Sequence, residues 1–201
     1  MPAFEDTSKA SRDGAEAPPL MSGYLDSNYA ESLAEFGTPL YLARSGGWLL
    51  ERPIAGTMHK DAMGCYPLFF CTNWAELAKD LSALDSSIVS VSLVADPFGD
   101  YQPADLKNCF DIVNGSKIRY IIDTRQPMDA YVSDHHKHYA RKALKSVTVE
   151  ICDHPFSCID EWTALYSVLS ERHNLRGIKA FSRPAFSRQL AIPGLVMFRA
   201  V

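Results

Sequence analysis

The chain has 201 residues, of which 47% are hydrophobic and 22% are charged, and this is the composition of an ordinary globular protein. Its formal net charge of −4 argues against a general nucleic-acid binder, because contacts to phosphates require a basic surface. The length allows one sizeable core, or one domain with part of a second.

Residues 1–28 predict a disordered leader. Prolines and small polar residues are frequent there, and the large apolar side chains are too few to offset the entropy lost on ordering. The leader begins with polar and acidic residues and lacks the apolar h-region of a signal peptide, so we do not expect it to be one. No apolar run elsewhere approaches the ~18 residues of a membrane span. We therefore expect a cytoplasmic protein without a membrane span.

The next segment predicts a β-hairpin followed by a third strand. Residues 39–43 and 47–52 are short apolar runs on either side of Ser45-Gly46-Gly47. Glycine supplies the positive φ that a tight turn requires, so this pattern predicts two antiparallel strands. Residues 65–71 form a further apolar and aromatic run, which predicts another strand.

From residue 73 onward, predicted helices alternate with predicted strands. Asn73 with Glu76 predicts a capping box, while prolines and serines mark the starts of later helices. This alternation predicts a mixed α/β (α+β) fold, with one domain at 29–150 and the beginning of a second at 151–201. The predicted helices are 73–84, 103–110, 133–145, 157–174 and 182–190, and the predicted strands are 88–94, 117–122, 147–152 and 194–201.

The cysteines predict neither a metal site nor a disulfide framework. Their number is odd, and no pair has the two-residue gap of a zinc knuckle or a redox motif. We expect reduced and mostly buried thiols. They are Cys65, Cys71, Cys109, Cys152 and Cys158.

A basic segment at 133–145 is the most unusual part of the sequence. Lys137, Arg141 and Lys145 recur every four residues, so a helix places them on one face, where they can meet an anionic ligand. The alternative is a solvated helix face without a ligand. Next to them, the histidines at 135, 136 and 138 predict no metal site, because adjacent helical side chains point about 100° apart.

A second candidate segment, at 171–182, lies between two predicted helices. His173 is a candidate general base, and Arg172 or Arg176 is a candidate anion-binding residue. The alternative is an ordinary helix end, where cations favour the negative end of the helix dipole and Gly177 permits the exit turn.

Asp96 follows a predicted strand, where open α/β sheets often place functional residues. Asp96-Pro97 is equally good turn chemistry. The sequence contains no nucleophile elbow, Walker loop or dinucleotide-binding glycine pattern.

Several short motifs, taken in order, resemble bacterial acyltransferases of the GNAT superfamily, in the branch related to the Fem aminoacyl transferases. The resemblance covers most of the chain from about residue 38. The motifs are Tyr66-Pro67-Leu68-Phe69 with Cys71 and Trp74, the run 89–98, Ser133-Asp134-His135-His136 leading into 140–143, Asp160-Glu161-Trp162, Leu165-Tyr166, Arg172-His173, Gly177, Phe181-Ser182 and Pro193-Gly194-Leu195.

This resemblance implies a GNAT-like mixed sheet flanked by helices and the start of a second GNAT-like half. It implies an N-acyltransferase that moves an acyl group from acetyl-CoA or another acyl-CoA to an amine. The glycine loop that holds the CoA pyrophosphate in the family has no counterpart here. We therefore expect a chain truncated at its C-terminus, with most of the donor site beyond residue 201 and little activity alone.

The resemblance also suggests roles for individual residues. The expected acceptor is a small amine or a cell-envelope or polysaccharide precursor. We expect no binding to DNA, and the sequence leaves open whether the chain forms homo-oligomers. Two alternatives remain: a non-catalytic GNAT-like module that binds a partner, and an RNA-binding module that uses the basic helix. The assigned residues are His173 and Arg172 as catalytic, Lys137, Arg141 and Arg176 as cofactor-binding, and Asp96, His135 and Phe181 as substrate-binding.

Overall fold

The computed structural model describes residues 23–115 and 118–201, and a four-stranded mixed sheet lies at its centre. β4 pairs parallel with β3, whereas the other neighbours pair antiparallel. The fold is therefore mixed α/β (α+β), as predicted. In order across the sheet, the strands are β1 (Thr38–Leu42), β2 (Gly47–Pro53), β3 (Lys60–Gly64) and β4 (Ile88–Ser92).

Helices flank this sheet, and a separate two-stranded antiparallel sheet follows near the end of the chain. None of the helices in the described part of the chain is long and apolar enough to cross a membrane. The α-helices are α1 (Ser27–Ser32), α2 (Leu77–Ser82), α3 (Pro103–Cys109), α4 (Asp134–Ala143), α5 (Ile159–His173) and α6 (Arg183–Gln189). The second sheet consists of β5 (Val149–Cys152) and β6 (Met197–Ala200).

Both faces of the central sheet are covered, because successive side chains of a strand point to opposite faces. Leu49 and Leu50 are neighbours in β2, and both are fully buried. On one face, Leu50 packs with the α1 side chains Tyr29 and Ala30 and with Leu33. On the other face, Leu49 packs with a second set of buried residues: Leu42, Ala62, Phe69, Trp74 and Leu77.

The segment around α6 belongs to the first of these cores. Ile192 is buried there together with Leu50. The Gln189 side chain donates a hydrogen bond to Ser32 Oγ at 3.1 Å, and Arg188 donates one to the Glu31 carbonyl at 2.8 Å. Packing therefore crosses the domain boundary predicted at residue 150.

Most local predictions are confirmed, but two predicted strands are absent. The hairpin, β4, and the helices α3 to α6 lie where the sequence places them. Residues 65–71 contain a single bridge, from Phe69 to Ala95, because Pro67 lacks the N–H that a ladder requires. Residues 118–122 are exposed and form no strand in the described structure, while Lys117 lies outside the described residues.

Two N-terminal predictions differ in detail. Residues 1–22 of the predicted leader lie outside the described residues, but 23–28 form a 3-10 turn and the start of α1. At the predicted capping box, the Asn73 side chain makes no capping hydrogen bond, and a 3-10 turn at Trp74–Glu76 precedes α2.

Gly46 allows the turn between β1 and β2, and this makes a testable prediction. Its φ is +72°, and an added Cβ would collide with Thr72 Oγ1, which itself donates to the Ser45 carbonyl. We expect Gly46→Ala to lower the free energy of unfolding by about 2 kcal/mol, since strain and collision add. Urea denaturation measures this loss.

The matched control is Gly56→Ala. Gly56 has a φ of +76° but nothing within 4 Å of an added Cβ, so only the backbone strain applies. We expect a loss of about 1 kcal/mol there. Equal losses at both glycines would contradict the steric argument.

Candidate functional site

The predicted anion-binding helix, α4, is solvent-exposed and has no buried residue. Lys137 Nζ pairs with the carboxylates of Asp129 at 2.5 Å and Asp134 at 3.4 Å, and the hydrogen bond that Lys137 donates to Asp129 raises the pKa of Lys137. Arg141 Nε donates to the Lys137 carbonyl at 3.2 Å. The ring of His135 lies 4.7 Å from that of Tyr139. The two predicted cofactor-binding cations of α4, Lys137 and Arg141, are thus already engaged within the chain.

The predicted catalytic segment forms the C-terminal end of α5. Arg172 and His173 are exposed in the last turn, and Asn174 ends the helix in the left-handed conformation with a φ of 49°. Arg176 Nε donates to Asn174 Oδ1 at 3.0 Å. This geometry is that of a helix terminus, the alternative that the sequence left open. The catalytic roles of Arg172 and His173 stay predictions.

The remaining predicted residues have structural partners. Phe181 is partly buried among aromatic rings, 5.8 Å from Phe186 and 6.0 Å from Tyr166. Asp96 Oδ1 accepts the Phe98 N–H at 3.0 Å, as in a turn. Across residues 23–115 and 118–201, no hydrogen bond or ion pair joins Asp96, α4 and the end of α5 to one another.

A different site is indicated where the parallel strands separate. β3 and β4 stop pairing at Met63 and Ser92, and pairing resumes only at the bridge between Phe69 and Ala95. The Phe69 N–H donates to the Val94 carbonyl at 2.7 Å. Residues 64–68 on one side therefore face only residues 93–94 on the other. A cavity of about 150 Å³ opens between these two segments.

A larger cavity, of about 660 Å³, adjoins the end of β4, and we call it the β4 groove. Its volume falls within the range of about 300–1,000 Å³ that small-molecule sites occupy. The carboxyl end of a parallel strand is also where open α/β sheets bind ligands. The groove is lined by residues 91–95, Pro97, Tyr101, Leu106, Phe110, residues 112–114, Arg119 and Ile121.

Tyr101 and Arg119 are the groove residues most suited to chemistry, and no motif in the sequence marks either of them. Burial raises the pKa of Tyr101, and the charge of Asp96 adds to this effect. The Tyr101 hydroxyl is therefore protonated at neutral pH and available as a proton donor. Its ring lies 4.4 Å from that of Trp74, which restricts it. Arg119 supplies the positive charge in the lining.

Within the described ranges, no group of three or more His, Cys, Asp or Glu residues is placed to hold a metal ion. The sequence matches no protein-family model, and no curated protein and no solved structure gives a significant match.

Proposed function

We propose that this chain is an N-acyltransferase in which the β4 groove, and not a site beyond residue 201 as the motif resemblance implies, binds the acylated pantetheine arm of acyl-CoA. The observation that carries the proposal is the opening of the parallel β3–β4 pair beside an apolar cavity that contains Tyr101 and Arg119. The motif resemblance to GNAT and Fem-related enzymes supports the same reaction class.

The chemistry of the groove suits an extended, amide-containing thioester. Where paired strands separate, backbone N–H and C=O groups face a gap, and an extended amide chain can bind them as an added strand does. Apolar side chains such as Val91, Leu93 and Phe110 keep water from a bound thioester. The Arg119 guanidinium suits a phosphate of the donor.

Two residues would act on protons in this reaction. When bound, acyl-CoA supplies the thioester carbonyl that an amine attacks. Tyr101 donates its hydroxyl proton to the departing sulfur, since burial keeps that hydroxyl protonated. Asp96, whose charge acts on Tyr101, accepts the proton that the amine loses.

The test is to fill the groove with a large side chain. Ser92 is exposed and lines both the 150 Å³ cavity and the β4 groove. We expect Ser92→Trp to weaken binding of acetyl-CoA and of S-acetyl-pantetheine by about tenfold or more, because the indole occupies the ligand's space. Titration calorimetry measures the affinity, and circular dichroism checks the fold.

Ser90→Trp is the matched control. Ser90 is also an exposed β4 serine, but it lines neither the β4 groove nor the 150 Å³ cavity. The affinity of Ser90→Trp for acetyl-CoA should therefore match that of the unmodified chain. The proposal fails if the folded, unmodified chain binds neither compound, or if Ser92→Trp and Ser90→Trp bind equally well.

A second candidate, a non-catalytic binding module, is favoured by the apolar outer face of the β5–β6 hairpin. Val149, Ile151 and Phe198 are 53%, 62% and 66% exposed, and Ile151 lies opposite Phe198 in the pair. Exposed apolar patches on a folded protein often mark interaction surfaces. A folded chain that binds no acyl-CoA would favour this candidate.

A further inference from the structure

Two cysteines meet where the β5–β6 hairpin joins α5. Cys152 is the last residue of β5, and Cys158 immediately precedes α5. Their Sγ atoms are 3.5 Å apart, and both residues are only partly buried. The expectation of mostly buried thiols is wrong, since Cys65 is buried and the other four cysteines are only partly buried.

The surroundings hold the two sulfur atoms close together. Arg199 of β6 pairs with Glu150 of β5 at 3.2 Å and with Glu161 of α5 at 2.9 Å, so it fixes the same junction. Burial and the hydrogen bond with Cys158 raise the pKa of the Cys152 thiol, whereas the Arg199 charge acts in the opposite direction.

We propose that Cys152 and Cys158 are a modification site that forms a reversible disulfide by exchange with a small-molecule disulfide such as oxidised glutathione. The sulfur atoms need to approach by roughly 1.5 Å to reach the S–S bond length of about 2.0 Å. Rotation of the two side chains supplies such a movement. The bond fixes the end of β5 to the start of α5.

The reaction balances in two exchange steps. The thiolate of one cysteine attacks oxidised glutathione, which forms a mixed disulfide and releases one glutathione thiolate. The thiolate of the other cysteine then attacks the protein sulfur of that mixed disulfide. The Cys152–Cys158 bond forms, the second glutathione leaves, and the two protons of the protein thiols pass to the glutathione thiolates.

Other cysteines of the chain are less suited to this exchange. Burial raises the pKa of Cys65 to about 12, and burial likewise raises that of Cys71 to about 12, so thiolate is scarce at both. Cys152 and Cys158 differ from these two in having a second sulfur 3.5 Å away, so a mixed disulfide formed at either can be resolved within the chain.

The experiment equilibrates the full 201-residue chain with mixtures of oxidised and reduced glutathione, followed by alkylation and mass spectrometry. We expect a species that carries two alkyl groups fewer than the reduced chain, whose amount follows the glutathione ratio and which reverts with excess dithiothreitol. Peptide mapping should locate the bond between residues 152 and 158. The melting temperature should rise by about 5 °C on oxidation, since the unfolded chain is constrained.

Cys158→Ser should abolish the intramolecular bond and instead retain a mixed disulfide, whereas Cys109→Ser should leave the bond intact. A second probe needs only the unmodified chain: one phenylarsine oxide molecule should block residues 152 and 158 together, with release of one water. The proposal is overturned if oxidising mixtures leave the mass unchanged or if the bond forms between other cysteines. It is also overturned if phenylarsine oxide does not protect residues 152 and 158 together.

Discussion

Phe69→Ala is expected to lower the free energy of unfolding by about 4 kcal/mol, because it removes a large side chain from a site that cannot collapse. Phe69 is 1% exposed, and its ring lies edge-on to Trp74 at 5.7 Å between centroids. Its ring also fills the space beside Gly47, where an added Cβ would come within 2.6 Å of the ring. Truncating Phe69 therefore removes contacts with Gly47 of β2 and with Trp74, which precedes α2.

Urea denaturation followed by circular dichroism measures this loss. Phe98→Ala is the matched control, since Phe98 is 71% exposed, and we expect a change within about 0.5 kcal/mol. A loss below about 1 kcal/mol for Phe69→Ala would show that this core is loosely packed.

Asp80→Ala is expected to cost about 3 kcal/mol, the second-largest effect. Asp80 is 8% exposed, and its Oδ2 accepts both the backbone N–H and the hydroxyl of Ser45 at 2.7 Å. The Arg44 N–H donates to the same carboxylate at 3.1 Å. Hydrogen bonds to a charged group contribute more than neutral ones, and their loss leaves buried donors unsatisfied. Asp100→Ala, at an exposed carboxylate, should change stability little.

The same residue predicts a pH dependence. Burial alone would raise the pKa of Asp80, but the hydrogen bonds from Ser45 and Arg44 outweigh it, so the pKa is lowered. The contribution to stability is therefore complete above the unfolded pKa of about 3.9 and is lost as pH falls through the lower folded pKa. The urea midpoints of the unmodified chain and of Asp80→Ala should differ at pH 7 and converge in this acid range. A difference that persists undiminished in acid would contradict this account.

The sequence predicts elements well where the signal is local. Ser133 and Ser182 cap α4 and α6 as expected, with their Oγ atoms accepting N–H groups three residues ahead. The hairpin around Gly46 follows from turn chemistry alone. The strand predicted at 65–71 does not form because Pro67 lacks the N–H that a ladder requires, and the apolar pattern of the run does not register this loss.

The candidate site is less predictable because it is built from distant segments. The sequence marks Asp96 as a candidate because it follows a predicted strand. Its neighbours Ala95 and Pro97 line the β4 groove. Tyr101 and Arg119 carry no motif, and they enter the lining only because α3 and the segments on either side of it pack around the same cavity as residues 91–95. A single sequence holds no local signal for that packing.

The contact between α1 and α6 has a consequence for synthesis. Ser32 and Gln189, which join these helices by a hydrogen bond, are 157 residues apart. At a translation rate of about 5–20 residues per second, α1 waits on the order of ten seconds for its partner. During that interval the sheet face that contains Leu50 lacks the cover that Ile192 later provides. The nascent chain therefore completes this core only after residue 192 has been synthesised, and chaperones that bind exposed apolar segments have that interval in which to act.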